Sequence, residues 1–373
     1  MSESDFDVVV IGGGAVGLAC AAHACAPGRS VLLLERNVRC GEESSSRNSG
    51  VIHAGLYYPT GSLKARTCVA GRKLLYDRCR RHGIGHEKCG KLLVATHEEE
   101  RPRLDQLLEL GKANGAGELS LVEAAEVVKL EPRVNAIAGL LSPETGIVDP
   151  HGLMDSYSAD ARDGGAELVT MTEVTGLTFA EDQFLVETRD SAGRTQSVAC
   201  ARVINAAGLH ADRIASMAGV DTSAAGLEIS YCKGDYFALA PSLGLLTHRL
   251  VYPLPTATGL GVHITFDLGG RFSAGPDTEY IDSLRYEVDA SKASEFGQAL
   301  RRFLPEIRDE HLCPNYAGIR PKLQRPGGGF RDFVIEEAGA HGLPGLINLI
   351  GIESPGLTSS EAIGMQVAEM LDL

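Results

Sequence analysis

No stretch of this sequence approaches the roughly 20 consecutive apolar residues that a membrane-spanning helix requires. The apolar run Val8 to Ile11 is too short for the core of a signal peptide, and acidic rather than basic residues precede it. Basic residues are the minority: 35 Lys and Arg stand against 49 Asp and Glu, a formal net charge of −14. No basic stripe interrupts that balance, which excludes nucleic acid as a partner and leaves at most a peripheral contact with a membrane. Any anionic substrate must then be met by cations gathered locally. The nine cysteines are odd in number and include no C-x-x-C pair. Neither a disulfide framework nor a metal site is expected, and the thiols read as buried and reduced in the cytoplasm. Internal repeats and low-complexity linkers are missing as well.

What is present is a chain of 373 residues, 44% hydrophobic and 23% charged, long enough for two domains. Its most informative segment runs from Asp5 to Gly17. An unbroken apolar strand is followed by a glycine turn, an alanine-rich helix and a second apolar strand that ends in Glu35. This is a βαβ unit carrying G-x-G-x-x-G on Gly12, Gly14 and Gly17. Gly12 makes the tight turn, Gly14 lets a pyrophosphate approach the backbone, and Gly17 lets helix and strand pack closely. The helix N terminus offers free N–H groups to phosphates, and Glu35 is placed to accept from an adenosine ribose.

Further along, helices are expected over Ser62–His82, Glu98–Asn114, Leu121–Leu130, His151–Asp163, Ala290–Phe303 and Ser359–Leu371. The first carries Arg66, Arg72, Arg78, Arg80 and Arg81 around an apolar side. Strands are expected over Lys91–Thr96 and Glu167–Met171, with a hairpin from Phe184 to Ile204. Short β-like stretches dominate residues 213–329. The expected fold is α/β: a Rossmann-like dinucleotide-binding domain with a mixed central sheet, and an interleaved α+β domain built on an antiparallel sheet. The first takes residues 1–85, 146–212 and 330–373; the second, which binds substrate, takes 86–145 and 213–329.

Three segments concentrate chemistry. Ser44 to Tyr58 packs hydroxyls, Arg47, glycines, His53, Tyr57 and Tyr58 into one loop. Asn205-Ala206-Ala207-Gly208 follows a strand with small residues where backbone must pass close to a dinucleotide. Gly351-Ile352-Glu353-Ser354-Pro355-Gly356-Leu357-Thr358 sits between a strand and a helix, a second helix N terminus suited to an electron-rich ring.

The fingerprint, the Ser44–Tyr58 loop and Leu63-Lys64-Ala65-Arg66 resemble the FAD-dependent D-amino-acid-oxidase superfamily, and within it the L-2-hydroxyglutarate dehydrogenase/oxidase branch. Ala201–Asp212, Leu250–Thr265, Gly318–Pro321 and Gly351–Thr358 extend the resemblance over nearly the whole chain. It implies FAD, held without a covalent bond. A histidyl–flavin link at His53, as in dimethylglycine dehydrogenase relatives, is the alternative. It assigns the cofactor to Gly12, Gly14, Ala15, Val16, Gly17, Glu35 and Arg36, to Ser45, Ser46, Arg47, Asn48 and Ser49, and to Val174. Ala206, Ala207, Gly208, Arg320, Gly351, Glu353, Ser354, Pro355, Gly356, Leu357 and Thr358 complete that set. Oxygen or a quinone would take the electrons onward.

The resemblance also implies oxidation of a small 2-hydroxy acid, with L-2-hydroxyglutarate giving 2-oxoglutarate. Removing a hydride from C2 and a proton from the hydroxyl calls for a carboxylate clamp and a base of near-neutral pKa. Arg320 is the expected clamp, since its guanidinium offers a bidentate fork. His53 in the loop and His263 in an apolar strand are the candidate bases, with rate expected to rise with pH through the histidine range. Lys233 and Tyr236 are candidates for a distal anion, and Tyr57 and Tyr252 for substrate hydroxyl contacts. An amine, amino-acid or glycerol-3-phosphate oxidase is the alternative enzyme, and a flavin protein without turnover is the non-enzymatic one.

Overall fold

The computed structural model describes residues 4–255 and 260–372. Within the Leu250–Thr265 block, Thr256 to Gly259 lie outside the described residues. The chain begins with β1 (Phe6–Ile11), α1 (Ala15–Ala24), β2 (Val31–Leu34), β3 (Val51–Ile52) and α2 (Leu63–His82). Next come β4 (His86–Glu87), β5 (Lys91–Ala95), α3 (Arg101–Asn114), β6 (Ser120–Glu123), α4 (Ala124–Leu130), β7 (Ala138–Ser142) and β8 (Gly146–Val148). Then follow α5 (Pro150–Asp163), β9 (Glu167–Val169), β10 (Thr172–Ala180), β11 (Gln183–Asp190), β12 (Thr195–Asn205), α6 (Ala211–Met217) and β13 (Ser230–Leu239). The last are β14 (Leu250–Pro253), β15 (His263–Phe266), β16 (Phe272–Gly275), β17 (Glu279–Ile281), α7 (Ala293–Arg301), β18 (Leu312–Lys322), β19 (Val334–Glu337), β20 (Leu346–Ile350) and α8 (Gly356–Leu371).

These elements form an α/β fold with two large sheets. The first has eight strands, ordered β10-β11-β12-β1-β2-β9, with β20 beside β12 and β19 beside β20. Its centre is parallel, and the β10–β12 meander and β19 are antiparallel. Val8, Val9 and Val10 are buried on both faces, as a central parallel strand requires. The second sheet has nine strands, ordered β17-β13-β16-β15-β14-β5-β7-β6, with β18 paired to β13. It is antiparallel except where β14 runs parallel to β5. A small sheet, β3-β8-β4, lies apart from both.

Helix α2 starts and stops as its sequence dictates. Ser62 caps it by accepting the Ala65 N–H at 3.2 Å, and Gly83 closes it in the left-handed region. Small residues bring the helices together. A Cβ on Gly71 of α2 would lie 2.3 Å from the Thr358 carbonyl oxygen of α8, and one on Gly364 of α8 would lie 2.8 Å from that of Ala19 in α1.

Two local expectations change. Residues 120–123 are a strand, because pairing with β7 takes their backbone, and the helix starts only at Ala124. Met171 adopts a positive φ of 56°, which ends one strand and starts β10, unrecognised in the sequence. On α2, Arg72 and Arg78 are buried. Arg72 donates to the carbonyls of Ala54 and Ala116. Arg78 lies 2.6 Å from Glu361 on α8 and 2.8 Å from Asp160 on α5, with its guanidinium over the Tyr157 ring.

Replacing Arg78 by Leu strands the buried Glu361 carboxylate, so urea denaturation should show a loss of about 3–5 kcal/mol. Burial alone would raise the Glu361 pKa, but hydrogen bonds from His23 and Arg78 bring it from 4.5 down to about 2. The stability this contributes is complete above the unfolded value and is lost as pH falls from 4.5 towards 2. Arg78→Leu should therefore flatten that acid limb.

Candidate active site

The turn from β1 into α1 admits nothing larger than glycine at two points. Gly12 has φ +105°, and a Cβ there would sit 2.5 Å from the Ala206 carbonyl oxygen. A Cβ on Gly17 would sit 1.9 Å from the Gly12 carbonyl oxygen. At Gly14 the only obstacle within 4 Å is the Ser45 hydroxyl, at 2.9 Å. Glu35 is buried and tied to this turn: its two carboxylate oxygens accept from Gly13 N–H at 2.7 Å and Asn37 N–H at 2.8 Å. Arg36 pairs with Glu43, and Val174 is buried in β10. Ala206, Ala207 and Gly208 lie where β12 leaves the sheet beside the turn. His210 follows them with its Nε2 buried and unpartnered. Burial, with Arg36 and Arg213 nearby, lowers its pKa to about 4.

The residues at the N-cap positions, Gly14 before α1 and Pro355 before α8, make no side-chain capping bond. Ala15 N–H donates to Ser45 Oγ at 2.9 Å. Both helix starts open on one cavity of about 450 Å³, lined by Ala15 and Val16 from α1 and by Gly356 and Leu357 from α8. Ser45, Arg47, Asn48 and Ser49 form another wall, with Glu353, Ser354 and Pro355 beside them. Asn48 shapes its own loop. It donates to the carbonyls of Ser44 and Ser45 and accepts from Gly50 N–H.

Two expected cofactor hydroxyls are taken up by the chain. Ser46 Oγ donates to the Gly41 carbonyl, and Ser46 does not reach the cavity wall. The Thr358 hydroxyl accepts from His53 N–H at 3.0 Å and donates to the Val51 carbonyl at 3.2 Å. Gly351, with φ +72°, is a turn residue behind the wall.

The far end of the cavity gathers His53, Tyr57, Tyr236, Tyr252, His263 and Arg320. Arg320 comes from β18, and its guanidinium donates only to backbone: Cys232 at 3.2 Å, Lys233 at 3.1 Å and Asp277 at 2.8 Å. No carboxylate among the described residues pairs with it. His263 Nδ1 donates to the Gly261 carbonyl at 2.8 Å, which leaves the lone pair on Nε2; that atom is buried without a partner. The ring stacks on Tyr252 at 3.7 Å. His53 Nε2 lies 3.2 Å from Ser354 Oγ, and its Nδ1 is buried and unpartnered. Burial and the nearby Lys91 push both imidazoles down, His263 to about 3 and His53 well below the usual histidine range. Both are neutral at pH 7, so the expected rise in rate through the histidine range moves to lower pH.

Lys233 is a correction. It points to the opposite face of β13, with its Nζ 2.8 Å from Asp235 and bonded to the Glu287 carbonyl. It cannot meet a distal anion in the cavity. Asp235 there also pairs with Lys292 at 2.9 Å. Other cations, unassigned in the sequence, stand nearer. Lys64 and Lys322 line the cavity and grip the Glu353 carboxylate between them at 2.9 and 3.2 Å. Burial by itself would raise Glu353, but these two lysines hold it below the usual carboxylate range. Lys64 was within reach of sequence reading, in Leu63-Lys64-Ala65-Arg66. Lys322 carried no signal beyond its place two residues after Arg320. In all, five cations and one carboxylate line a cavity in a chain of net charge −14.

With this geometry in place, the comparisons define the class. The model of the family described as FAD dependent oxidoreductase matches residues 7–370. The chain belongs to that family: it is an oxidoreductase with FAD as cofactor. It is 39% identical to an Arabidopsis thaliana protein called L-2-hydroxyglutarate dehydrogenase, mitochondrial, over 99% of this chain and 84% of that one. A Salmonella houtenae protein called L-2-hydroxyglutarate dehydrogenase is 32% identical, over 97% and 92%. Among solved structures, L-alpha-glycerophosphate oxidase from Mycoplasma pneumoniae with FAD bound superposes with a TM-score of 0.89 at 28% identity, covering 99% and 95%. The residues fit FAD. The starts of α1 and α8 face one cavity, and the glycine turn beside them keeps side chains out of the way of a dinucleotide. No described helix is long and apolar enough to cross a membrane.

Gly17→Ala should force the turn apart, since backbone rather than a flexible side chain opposes the new methyl. The expected product is folded protein with little bound FAD, read from the flavin absorbance per polypeptide. Full occupancy would show that the turn does not carry the cofactor.

Proposed function

We propose that the protein oxidises a small 2-hydroxy acid, L-2-hydroxyglutarate, to 2-oxoglutarate. The observation that carries this reading is Arg320. Its guanidinium has no anionic partner among the described residues and stands on the wall of a cavity that also holds two neutral histidines. The names of the full-length relatives support the choice of substrate.

In this reading Arg320 binds the carboxylate next to the reacting carbon. The C2–H bond breaks with its electron pair leaving as hydride, while the hydroxyl O–H bond breaks and the C=O bond forms. FAD, when bound, supplies the acceptor for that hydride. The hydroxyl proton goes to His53, whose backbone and ring are both tied to the start of α8. His263 Nε2, which carries a lone pair, is the second group on the cavity wall able to accept that proton. Tyr57, Tyr236 and Tyr252 close the space and exclude water.

The test is an anaerobic screen of hydroxy acids and amines against the yellow protein, watching the flavin bleach. Glycerol 3-phosphate belongs in the screen, because five lining cations would suit a phosphate as well. Bleaching by L-2-hydroxyglutarate alone is the expected result; bleaching only by amines would sink the reading. Oxygen and then a soluble quinone, added to the bleached protein, identify the electron acceptor. Acid should release FAD from the polypeptide; colour retained on it would point to a covalent link at His53.

Arg320→Ala should raise the apparent KM about 100-fold or more with FAD still bound, since a desolvated charge-assisted pair is lost. Arg320→Lys should recover only part of the loss, because an ammonium cannot reproduce the fork. His53→Ala should slow flavin reduction by roughly 10²–10⁴, the range for general bases. Normal reduction in His53→Ala and none in His263→Ala would reverse their roles. At saturating substrate, reduction should stay flat from pH 8 to pH 6 and fall only below, because burial keeps both imidazoles neutral there.

A further inference from the structure

Lys91 opens strand β5 and is 1% exposed. Its Nζ lies 4.5 Å from the ring centre of Tyr252 and 4.7 Å from that of Tyr57. It makes no hydrogen bond or ion pair with any described residue. We propose that Lys91 selects a substrate with a second carboxylate: its ammonium, buried behind Tyr57 and Tyr252 without an anionic partner, favours a dianion in the cavity over a monoanion. This rests on the reading of the cavity as a hydroxy-acid site.

Among the described residues the surroundings of Lys91 supply no counter-charge. The loop after β3 presents His53 and Tyr57, α2 presents Cys68, and Cys89 lies just before β5. Strand β14 presents Tyr252 and β15 presents His263. Every one of these is neutral at pH 7. Burial pushes each further from its charged form: Cys68 and Cys89 up to about 12, the tyrosines up, the histidines down. A buried cation in such company is costly unless an anion arrives. Tyr57 and Tyr252 line the cavity, so an anion there meets the field of Lys91 across their rings. His263 feels both Lys91 and Arg320, which puts the two cations near the same part of the cavity. A dicarboxylate whose first carboxylate takes Arg320 would have its second nearer Lys91.

The same charge makes binding pH-dependent. Burial lowers the Lys91 pKa from 10.5 to about 7. A dianion favours the protonated lysine, so its affinity should weaken as pH rises above 7, by up to about tenfold per unit. The histidines facing Lys91 are already neutral across that window.

The experiment uses the FAD-loaded wild type, Lys91→Met and Lys91→Gln. Glutarate and butyrate, which lack the reacting hydroxyl, are titrated by the perturbation of the flavin spectrum at pH 7, 8 and 9. L-2-hydroxyglutarate and L-2-hydroxyvalerate are compared as reductants. Lys91→Met should weaken glutarate by about 10- to 50-fold at pH 7, as expected for one charge across a partly screened gap, and butyrate by less than about threefold. Its glutarate affinity should be flat from pH 7 to 9, and its melting temperature equal to or above that of wild type. Equal losses for both acids, or none, would overturn the proposal and leave Lys91 a packing residue. If Met does not fold at this site, Lys91→Gln and the wild-type pH dependence decide. Failure of L-2-hydroxyglutarate to bleach the wild type would instead overturn the substrate reading, while the glutarate-to-butyrate comparison would still decide the role of Lys91.

Discussion

The position of helix α8 is the constraint on which the site depends. Its first turn carries Thr358, which fixes the His53 backbone, and the segment just before it carries Ser354, beside the His53 ring, and Glu353, gripped by Lys64 and Lys322. A shift of α8 would move the wall on which the flavin ring is expected and the candidate base together. What holds α8 is the buried contact between Arg78 and Glu361, reinforced by Asp160 on α5 and His23 on α1. Glycines at 71 and 364 let the neighbouring helices approach to backbone distance. A charge pair in the interior is a poor source of net stability. Here it fixes one register of four helices, which packing of small residues alone would leave free to slide.

Much of this was legible because it is local. The strand–glycine–helix grammar of residues 5–35 depends on contacts within one supersecondary unit, and the sheet confirms it strand by strand. The Ser44–Tyr58 loop and the Gly351–Thr358 turn were conspicuous for the same reason: glycine, proline and hydroxyls in density that packing does not need. Ser46 and Thr358 show where such reading stops. Composition marks the loop, but it does not say which hydroxyl faces the ligand and which closes a hydrogen bond to the chain.

Lys233 shows a different limit. Lys233 and Tyr236 are three residues apart on one strand, and a strand alternates faces every residue. Both could not line the cavity, and β13 turns Gly234 and Tyr236 inward and Lys233 and Asp235 outward. The choice between the two faces is made by the partners of the sheet, Lys292 on one side and Arg320 on the other, and these lie far off in sequence. Residues 120–123 failed for a related reason. A short apolar stretch fits helix or strand, and the backbone of β7 decides.

Charge accounting separates the interior cations into two kinds. Arg78, Lys64, Lys322 and Lys233 each meet a carboxylate, as buried charges generally must. Among the described residues Arg320, Lys91 and Arg72 do not; Arg72 gives its guanidinium to the carbonyls of Ala54 and Ala116 and does not line the cavity. Arg320 is satisfied by carbonyl dipoles, which orient it without cancelling its charge. Lys91 rests on two tyrosine faces, which attract a cation weakly and carry no net charge. A chain with an excess of fourteen negative charges could have placed a carboxylate beside either one. Arg320 stands on the cavity wall and Lys91 behind two of its tyrosines, so an anion in the cavity can answer both. A ligand that answers both carries two negative charges.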